Sequence, residues 1–179
     1  MTMSVVAVIL AGGGSRRMGQ DKARMFGGVD RLKQCLAEAG VERSVVLCGD
    51  EERASLFRGE VLADPPHLNG LHRIIPWVRS QLEASILLIP CDAFLLSPEA
   101  ISAFLAAASG GGVPLDETGQ RQPLFAYLPH KLVLDTSATS ATSLVQGLPS
   151  VDVGRYRSAF SNFNRPSDLQ HPQLSDRQP

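Results

Sequence analysis

A segment near the amino terminus combines three consecutive glycines at 12–14 with the basic residues Arg17 and Lys22. Glycine reaches positive φ angles and lets a ligand approach the main chain closely. Backbone N–H groups and fixed cations together are the usual surroundings of a bound polyphosphate. The segment therefore predicts a phosphate site, although a glycine-rich turn with solvated arginines would have the same composition.

Two well-known phosphate motifs do not match this segment. The P-loop pattern places lysine directly after its last glycine, whereas two residues separate Gly19 from Lys22. The dinucleotide pattern Gly-x-Gly-x-x-Gly begins at Gly12 but meets Arg17 at its last position. The kind of phosphate site has to be inferred from the rest of the chain.

Two aspartates are the other candidates for chemistry. Asp92 follows the apolar run 86–89 and Pro90, and Asp64 follows the apolar run 61–63. A carboxylate beside polyphosphate normally acts through a cation, and Mg²⁺ binds through one or two carboxylates plus phosphate oxygens. We therefore predict Mg²⁺ at Asp92. The simpler interpretation of either aspartate is a loop residue that caps the next turn.

These parts favour transfer of a nucleotidyl group, in which an incoming phosphate attacks the α-phosphorus and pyrophosphate leaves. Two anions must meet, so catalysis consists mainly of positioning and of preorganised positive charge. Lys22, Arg17 and the metal ion on Asp92 would supply this charge. Such a reaction needs no side-chain nucleophile.

The elements that must position these residues alternate between strand and helix patterns. Short apolar runs predict strands at 5–11, 44–48, 61–63 and 86–89, with weaker candidates at 113–115 and 123–128. Helices are predicted at 32–39, 51–57, 71–82 and from Pro98 to about 108, with caps at Ser97 and within 136–143. The alternation predicts an α/β fold with a largely parallel sheet, whose ligands gather beyond the carboxyl ends of the strands. The glycines, Asp64 and Asp92 all fall at such ends.

Length and composition limit the possible classes. The 179 residues suit one domain over 1–169, followed by a polar tail over 170–179 that we predict to be disordered. A net charge of −1 offers no general attraction to nucleic acid or an anionic membrane, so neither is predicted as a partner. Three spaced cysteines and four scattered histidines predict reduced thiols and no zinc site. We predict a cytoplasmic protein.

The run from Leu10 to Lys22 fits Leu-Ala-Gly-Gly-x-Ser-x-Arg-Met-Gly-x-Asp-Lys without a gap. It closely resembles the signature of the molybdenum cofactor guanylyltransferase family, within the nucleotidyltransferase superfamily. Pro90-Cys91-Asp92, the segment 122–127 and the block 160–168 resemble further family motifs in the same order. The resemblance implies a single Rossmann-like three-layer domain of the nucleotide-diphospho-sugar transferase type, with a mostly parallel central sheet.

The resemblance also implies roles for individual residues. The nucleotide-binding residues would be Leu10, Ala11, Gly12, Gly13, Lys22, Cys48, Asp64 and Asp92. Among these, Lys22 would contact phosphate, Asp92 would bind Mg²⁺, and Cys48 stands where the family has a polar contact. Asn162 and Asn164 would face the molybdopterin. The product would be the guanine dinucleotide form of the cofactor.

The implied substrates are GTP and molybdenum–molybdopterin, and the implied protein partners are molybdoenzymes or cofactor-delivery proteins. Two alternatives stay open. A cytidylyltransferase of the same cofactor, or another nucleotidyltransferase, is compatible with the loop, because backbone contacts to a base leave little trace in side chains. A non-catalytic relative is suggested by the short segments at 28–32 and 129–148. In the first of these, we expect Arg31 to substitute for a lysine of the family.

Overall fold

The central element is a five-stranded, mostly parallel sheet. A computed structural model describes residues 4–13, 21–164 and 166–174. The strands in chain order are β1 (Val5–Leu10), β2 (Arg43–Leu47), β3 (Glu60–Leu62), β4 (Ser85–Pro90), β5 (Val113–Pro114), β6 (Tyr127–Leu128) and β7 (Ser150–Val151). The main sheet has the order β3-β2-β1-β4-β6, and only its β4–β6 pair is antiparallel. Strands β5 and β7 pair separately in parallel.

Strand register brings the predicted site residues to one edge. Leu10 at the end of β1 pairs with Leu47 and with Pro90, and Leu47 pairs in turn with Leu62. The four parallel strands therefore end level with one another. The loops that follow them, including the glycines after β1 and the aspartates two residues beyond β3 and β4, leave the sheet at the same edge.

Both faces of the sheet are covered by helices, which explains the uninterrupted apolar strands. Side chains of β1 alternate between two buried clusters, with Ala7 and Ile9 on one face and Val6 and Val8 on the other. Helices α1 (Gly28–Glu38) and α3 (Pro98–Ala107) pack on the first face, and α2 (Leu71–Leu82) and α4 (Ala141–Leu144) on the second. The predicted Rossmann-like three-layer α/β fold is thereby confirmed.

Most predicted elements occur close to their predicted bounds. Helix α2 spans 71–82 with Pro76 inside it, and Ser97 caps α3 by accepting the Ala100 N–H at 3.2 Å. The segment 51–57 forms a 3₁₀ helix, Glu51–Leu56, and Ser140 caps α4. The strand predicted over 123–128 was wrong in its first half. Residues Pro123–Phe125 form a 3₁₀ turn, since proline lacks the N–H that a ladder needs.

A third apolar cluster joins three separate segments beside the sheet edge. Its buried members are Met25, Phe26, Phe94, Leu95, Phe163 and Leu174. The ring centroids of Phe26 and Phe94 lie 4.8 Å apart, and those of Phe94 and Phe163 lie 5.3 Å apart. Because Leu174 is only 2% exposed, the start of the predicted disordered tail packs against the domain as far as this residue. Residues 175–179 lie outside the described residues.

The packing of Leu174 can be tested by truncating its side chain. We expect Leu174→Ala to lower the free energy of unfolding by about 2 kcal/mol, because a buried leucine is replaced by a partial cavity. The measurement is urea unfolding followed by circular dichroism. The matched control is Leu56→Ala, since Leu56 is 49% exposed and its loss should change stability by less than about 0.5 kcal/mol. Equal effects of the two substitutions would contradict the packing.

Candidate active site

An ion pair between Lys22 and Asp92 forms the centre of the site. Lys22 Nζ lies 2.7 Å from Asp92 Oδ2, and the two side chains are only 13% and 9% exposed. Lys22 begins the 3₁₀ segment Lys22–Gly27, which Asp21 caps by accepting the Ala23 N–H at 3.1 Å. The pair therefore joins the loop after β1 to the loop after β4. The structure brings together two of the three residues that the sequence singled out for catalysis, and the third, Arg17, lies outside the described residues.

Arg31 holds the main chain immediately after Asp92. From helix α1 its guanidinium donates to the carbonyl oxygens of Leu96 at 3.1 Å and of Ala93 at 2.6 Å. This residue was expected to substitute for a family lysine. In the structure its described hydrogen bonds go to the main chain, so it fixes the loop that presents the Asp92 carboxylate.

Two glycines allow the loops after β1 and β2 to cross in contact. A Cβ atom on Gly12 would lie 3.0 Å from Gly49 Cα, and one on Gly49 would lie 2.9 Å from Gly12 Cα. Gly49 also has a φ of +80°, which disfavours any other residue. The crossing keeps the ends of β1 and β2 together, with Gly12 and Gly13 exposed at the surface.

Cys48 is buried beneath this crossing. Its Sγ lies 3.5 Å from the carbonyl oxygen of Asp50, within reach of a weak donated hydrogen bond. Burial, more than any other cause, raises the pKa of the Cys48 thiol, which keeps it protonated. Its side chain is thus engaged with its own loop, and the position can serve a ligand mainly through the main chain.

Asp64 offers an acceptor without a donor. Its N–H donates to the carbonyl of Gly49 at 2.7 Å, while its buried Oδ1 accepts no hydrogen bond from any residue that the structure describes. Burial and, less strongly, the charge of Asp50 raise the pKa of the Asp64 carboxyl. A ligand hydroxyl or N–H would supply the missing donor.

The two candidate carboxylates belong to opposite ends of the site. Asp64 follows β3 and Asp92 follows β4, and three strand spacings of the sheet, about 14 Å, separate these strands. Since Mg²⁺ holds its ligands at about 2 Å, this separation of the strands does not favour one ion shared by both carboxylates. The strand order therefore places the two carboxylates in loops on opposite sides of β1.

The donor chemistry at Asp92 suits a magnesium ion that arrives with phosphate. Within residues 4–13, 21–164 and 166–174, no three side chains of His, Cys, Asp or Glu gather as a metal cluster. Mg²⁺ commonly binds through one or two carboxylates, with phosphate oxygens and water completing its octahedron. Asp92, whose carboxylate already lies beside one cation, fits this type of site.

Asn162 and Asn164, predicted to face the molybdopterin, flank Phe163, which packs against Phe94. Both are exposed, on either side of the buried Phe163. Asn162 lines a groove of about 320 Å³ together with Glu117 and His171. Asn164 is not among the lining residues, and its N–H donates to the Asp168 side chain at 2.8 Å. The two asparagines therefore differ in what they can offer a ligand.

Four basic or glycine positions of the predicted loop lie outside the described residues, namely Gly14, Arg16, Arg17 and Gly19. Sequence reasoning gave no role to Asp21 or Arg53, although both belong to the site. Asp21 stands within the loop motif and could have been found there. Arg53 lies in no motif, and only its position soon after β2 connects it with the sheet edge.

Fold and site together define an α/β enzyme of the nucleotidyltransferase class. A family model described as "MobA-like NTP transferase domain" matches residues 7–151, and the chain belongs to this family. The resemblance noted in the sequence is confirmed.

Relatives support the same assignment over nearly the whole chain. A probable molybdenum cofactor guanylyltransferase of Synechococcus elongatus is 33% identical, covering 97% of this chain and 100% of the relative. The molybdenum cofactor guanylyltransferase of Rhizobium meliloti is 30% identical, covering 97% and 94%. The solved structure of molybdopterin-guanine dinucleotide biosynthesis protein A from Archaeoglobus fulgidus superposes with a TM-score of 0.64 at 21% identity, covering 92% and 94%. This last likeness shows the fold.

The pKa of Asp64 generates a prediction about stability. Because this pKa is raised on folding, the folded protein binds a proton more readily, and its stability falls as pH rises through that value. Asp64→Asn does not titrate. The stability of the variant relative to the parent should therefore increase from about pH 4 to neutrality. Urea unfolding across this range measures the trend.

Asp152→Asn provides a control of opposite sign. Hydrogen bonds from the Arg157 side chain lower the pKa of this exposed carboxyl, so its contribution to stability is present above the unfolded value and lost in acid. The Asp152 variant should lose relative stability as pH rises. A relative stability of Asp64→Asn that falls with pH in the same way would refute a raised pKa.

Proposed function

We propose that this protein transfers GMP from GTP to molybdenum–molybdopterin in a Mg²⁺-dependent reaction that releases pyrophosphate. The observation that carries the proposal is the Lys22–Asp92 pair, 2.7 Å between charged atoms, at the carboxyl edge of the parallel strands. Ligands of such sheets bind at this edge. The relatives named above are guanylyltransferases of the same cofactor.

Lys22 and Asp92 would together neutralise the charge of the triphosphate, Lys22 directly and Asp92 through Mg²⁺. Lys22 is little exposed, so its ammonium acts in surroundings where charge is screened less than in water. It would bind the triphosphate, with Asp92 as its counter-charge before the nucleotide arrives. Asp92 would hold Mg²⁺, which when bound supplies positive charge to phosphate oxygens. Arg17, outside the described residues, would add a further cation.

The nucleoside end would depend mostly on the main chain. Leu10 and Ala11 have main-chain groups that already bond to Cys91, Leu47 and Arg53, so Gly12 and Gly13 would offer the accessible main chain and let a ligand approach closely. Asp64 Oδ1 would accept a hydrogen bond from the ribose or the base, which would satisfy its buried oxygen. Cys48 would contribute its main chain. Guanine is proposed as the base because the relatives are guanylyltransferases.

The acceptor would approach from the carboxyl-terminal block. Asn162 lines a groove that adjoins the aromatic cluster containing Phe94, two residues after Asp92. This placement supports a molybdopterin site there, with Asn164 acting on the shape of the block through its bond to Asp168. Molybdoenzymes or cofactor-delivery proteins would receive the product.

The proposed location is the cytoplasm, where reduced thiols persist. The three cysteines, all among the described residues, are free rather than paired in disulfides. None of the helices within the described ranges combines the length and apolarity needed to cross a bilayer.

The reaction is tested with purified protein, Mg²⁺ and molybdenum–molybdopterin, by measuring pyrophosphate release and dinucleotide formation. We expect turnover with GTP and at least about tenfold less with CTP, ATP or UTP. Asp92→Ala should lower kcat by about a hundredfold or more, since preorganised charge is lost. The control Asp152→Ala removes a surface carboxylate and should retain turnover. A preference for CTP, or binding without pyrophosphate release, would reject the proposed reaction.

The dependence of metal binding on nucleotide can be measured with Mn²⁺ as a paramagnetic substitute, through water-proton relaxation. Protein alone should bind the ion weakly, because Asp92 lies in no cluster of three possible ligands within the described chain. Addition of GTP should enhance relaxation strongly in the parent and much less in Asp92→Ala. Tight metal binding without nucleotide, unchanged by Asp92→Ala, would contradict the assigned ligand.

A further inference from the structure

We propose that Arg53 is a positioning residue that sets the place of Lys22 for the triphosphate. The inference rests on the proposed nucleotide chemistry but concerns a residue outside the family motifs described above. Arg53 lies in the 3₁₀ helix Glu51–Leu56, soon after β2, and approaches the loop after β1 from the side opposite Asp92.

The guanidinium of Arg53 contacts polar groups of three segments. Its Nε donates to the Cys48 carbonyl at 3.0 Å, and its Nη2 donates to the Ala11 carbonyl at 3.0 Å. The same Nη2 lies 3.1 Å from Asp21 Oδ2. Ala11 and Cys48 are almost completely buried, so their carbonyl groups need such donors. One side chain thereby connects the ends of β1 and β2 with the residue that precedes Lys22.

Asp21 transmits this anchoring to Lys22. Its carboxylate accepts the Ala23 N–H at 3.1 Å and so begins the 3₁₀ segment whose first residue is Lys22. Charges consequently alternate across the sheet edge, from Arg53 through Asp21 and Lys22 to Asp92. When phosphate draws Lys22 away from Asp92, the Arg53–Asp21 contact keeps the start of the segment in place.

Arginine suits this role and lysine does not. A guanidinium presents several donors in a fixed plane, whereas an ammonium is a compact point charge. A lysine at position 53 could keep the charge, but it could not donate from the same directions to Ala11 and Cys48 while also pairing with Asp21. The Arg53 side chain is 21% exposed, so it is buried enough to be held and lies close to the surface of the site.

The test measures dissociation constants of inorganic tripolyphosphate by calorimetry, and KM and kcat for GTP. The variants are Arg53→Lys, Lys22→Met and the double variant. We expect Arg53→Lys to weaken tripolyphosphate about tenfold and to raise KM for GTP similarly. In the Lys22→Met background, Arg53→Lys should weaken tripolyphosphate binding by less than about twofold, because both substitutions disable the same function. A merely structural arginine would give additive effects.

Two further variants complete the design. Asp21→Asn preserves a capping side chain but removes the charge that pairs with Arg53. It should therefore weaken tripolyphosphate binding as Arg53→Lys does, and it replaces Arg53→Lys in the test if that variant does not fold. Arg43→Lys alters an exposed ion pair with Glu60, whose side chains are 50% and 42% exposed, and should leave binding unchanged. Additive effects of Arg53→Lys and Lys22→Met on the dissociation constant would overturn the positioning role. So would a change below twofold in the dissociation constant of tripolyphosphate for both Arg53→Lys and Asp21→Asn.

The outcomes for Arg53 and for the proposed reaction are distinguishable. Coupled loss of tripolyphosphate binding without GTP turnover in the parent would uphold the positioning role and reject the reaction. Normal GTP turnover in the parent, with additive effects of Arg53→Lys and Lys22→Met, would uphold the reaction and reject the positioning role. A parent that neither binds tripolyphosphate nor turns over GTP would refute both.

Discussion

The structure depends most on a single constraint, which is that opposite charges from two distant loops must meet where little water reaches them. Lys22 and Asp92 are 70 positions apart in sequence, yet their charged atoms lie 2.7 Å apart with little exposure. Partly buried charges are costly unless they are paired, so both loops must be held in register. The level ends of β1 and β4 provide the first part of that register.

The remaining precision comes from contacts around the pair. Arg31 fixes the main chain after Asp92, and Arg53 fixes the residue before Lys22. Below them, the cluster around Phe94 packs the segment after Lys22 against the loop after Asp92 and against the carboxyl-terminal block. Rings and guanidinium groups have defined shapes, so these contacts restrict the loops more than a flexible apolar contact would. The Lys22–Asp92 pair and the groove lined by Asn162 are thereby connected through one small apolar cluster.

The surroundings of Asp64, the proposed nucleoside end, differ in their energetics. Asp64 keeps a buried oxygen without a donor, and its pKa is raised by burial and by Asp50. Such a group lowers the stability of the protein without ligand, and a bound nucleotide can recover that loss by supplying a donor. Cys48, by contrast, is satisfied within its own loop. In the proposed reaction, the Lys22–Asp92 pair is formed before any ligand binds, whereas Asp64 would gain its missing donor from the ligand.

The sequence by itself determined the α/β class, the bounds of α2 and the placement of Asp64 and Asp92 just beyond strand ends, because apolar runs and helical spacing are local properties of the chain. It misplaced the first half of the strand at 123–128, and it predicted a disordered tail over 170–179, where Leu174 packs with Phe94. Only the tertiary structure decided that Arg53 reaches Asp21 and that Leu174 packs with Phe94, since these contacts join residues whose separation in the chain carries no pattern. Strand order places them together, and strand order is a property of the whole fold.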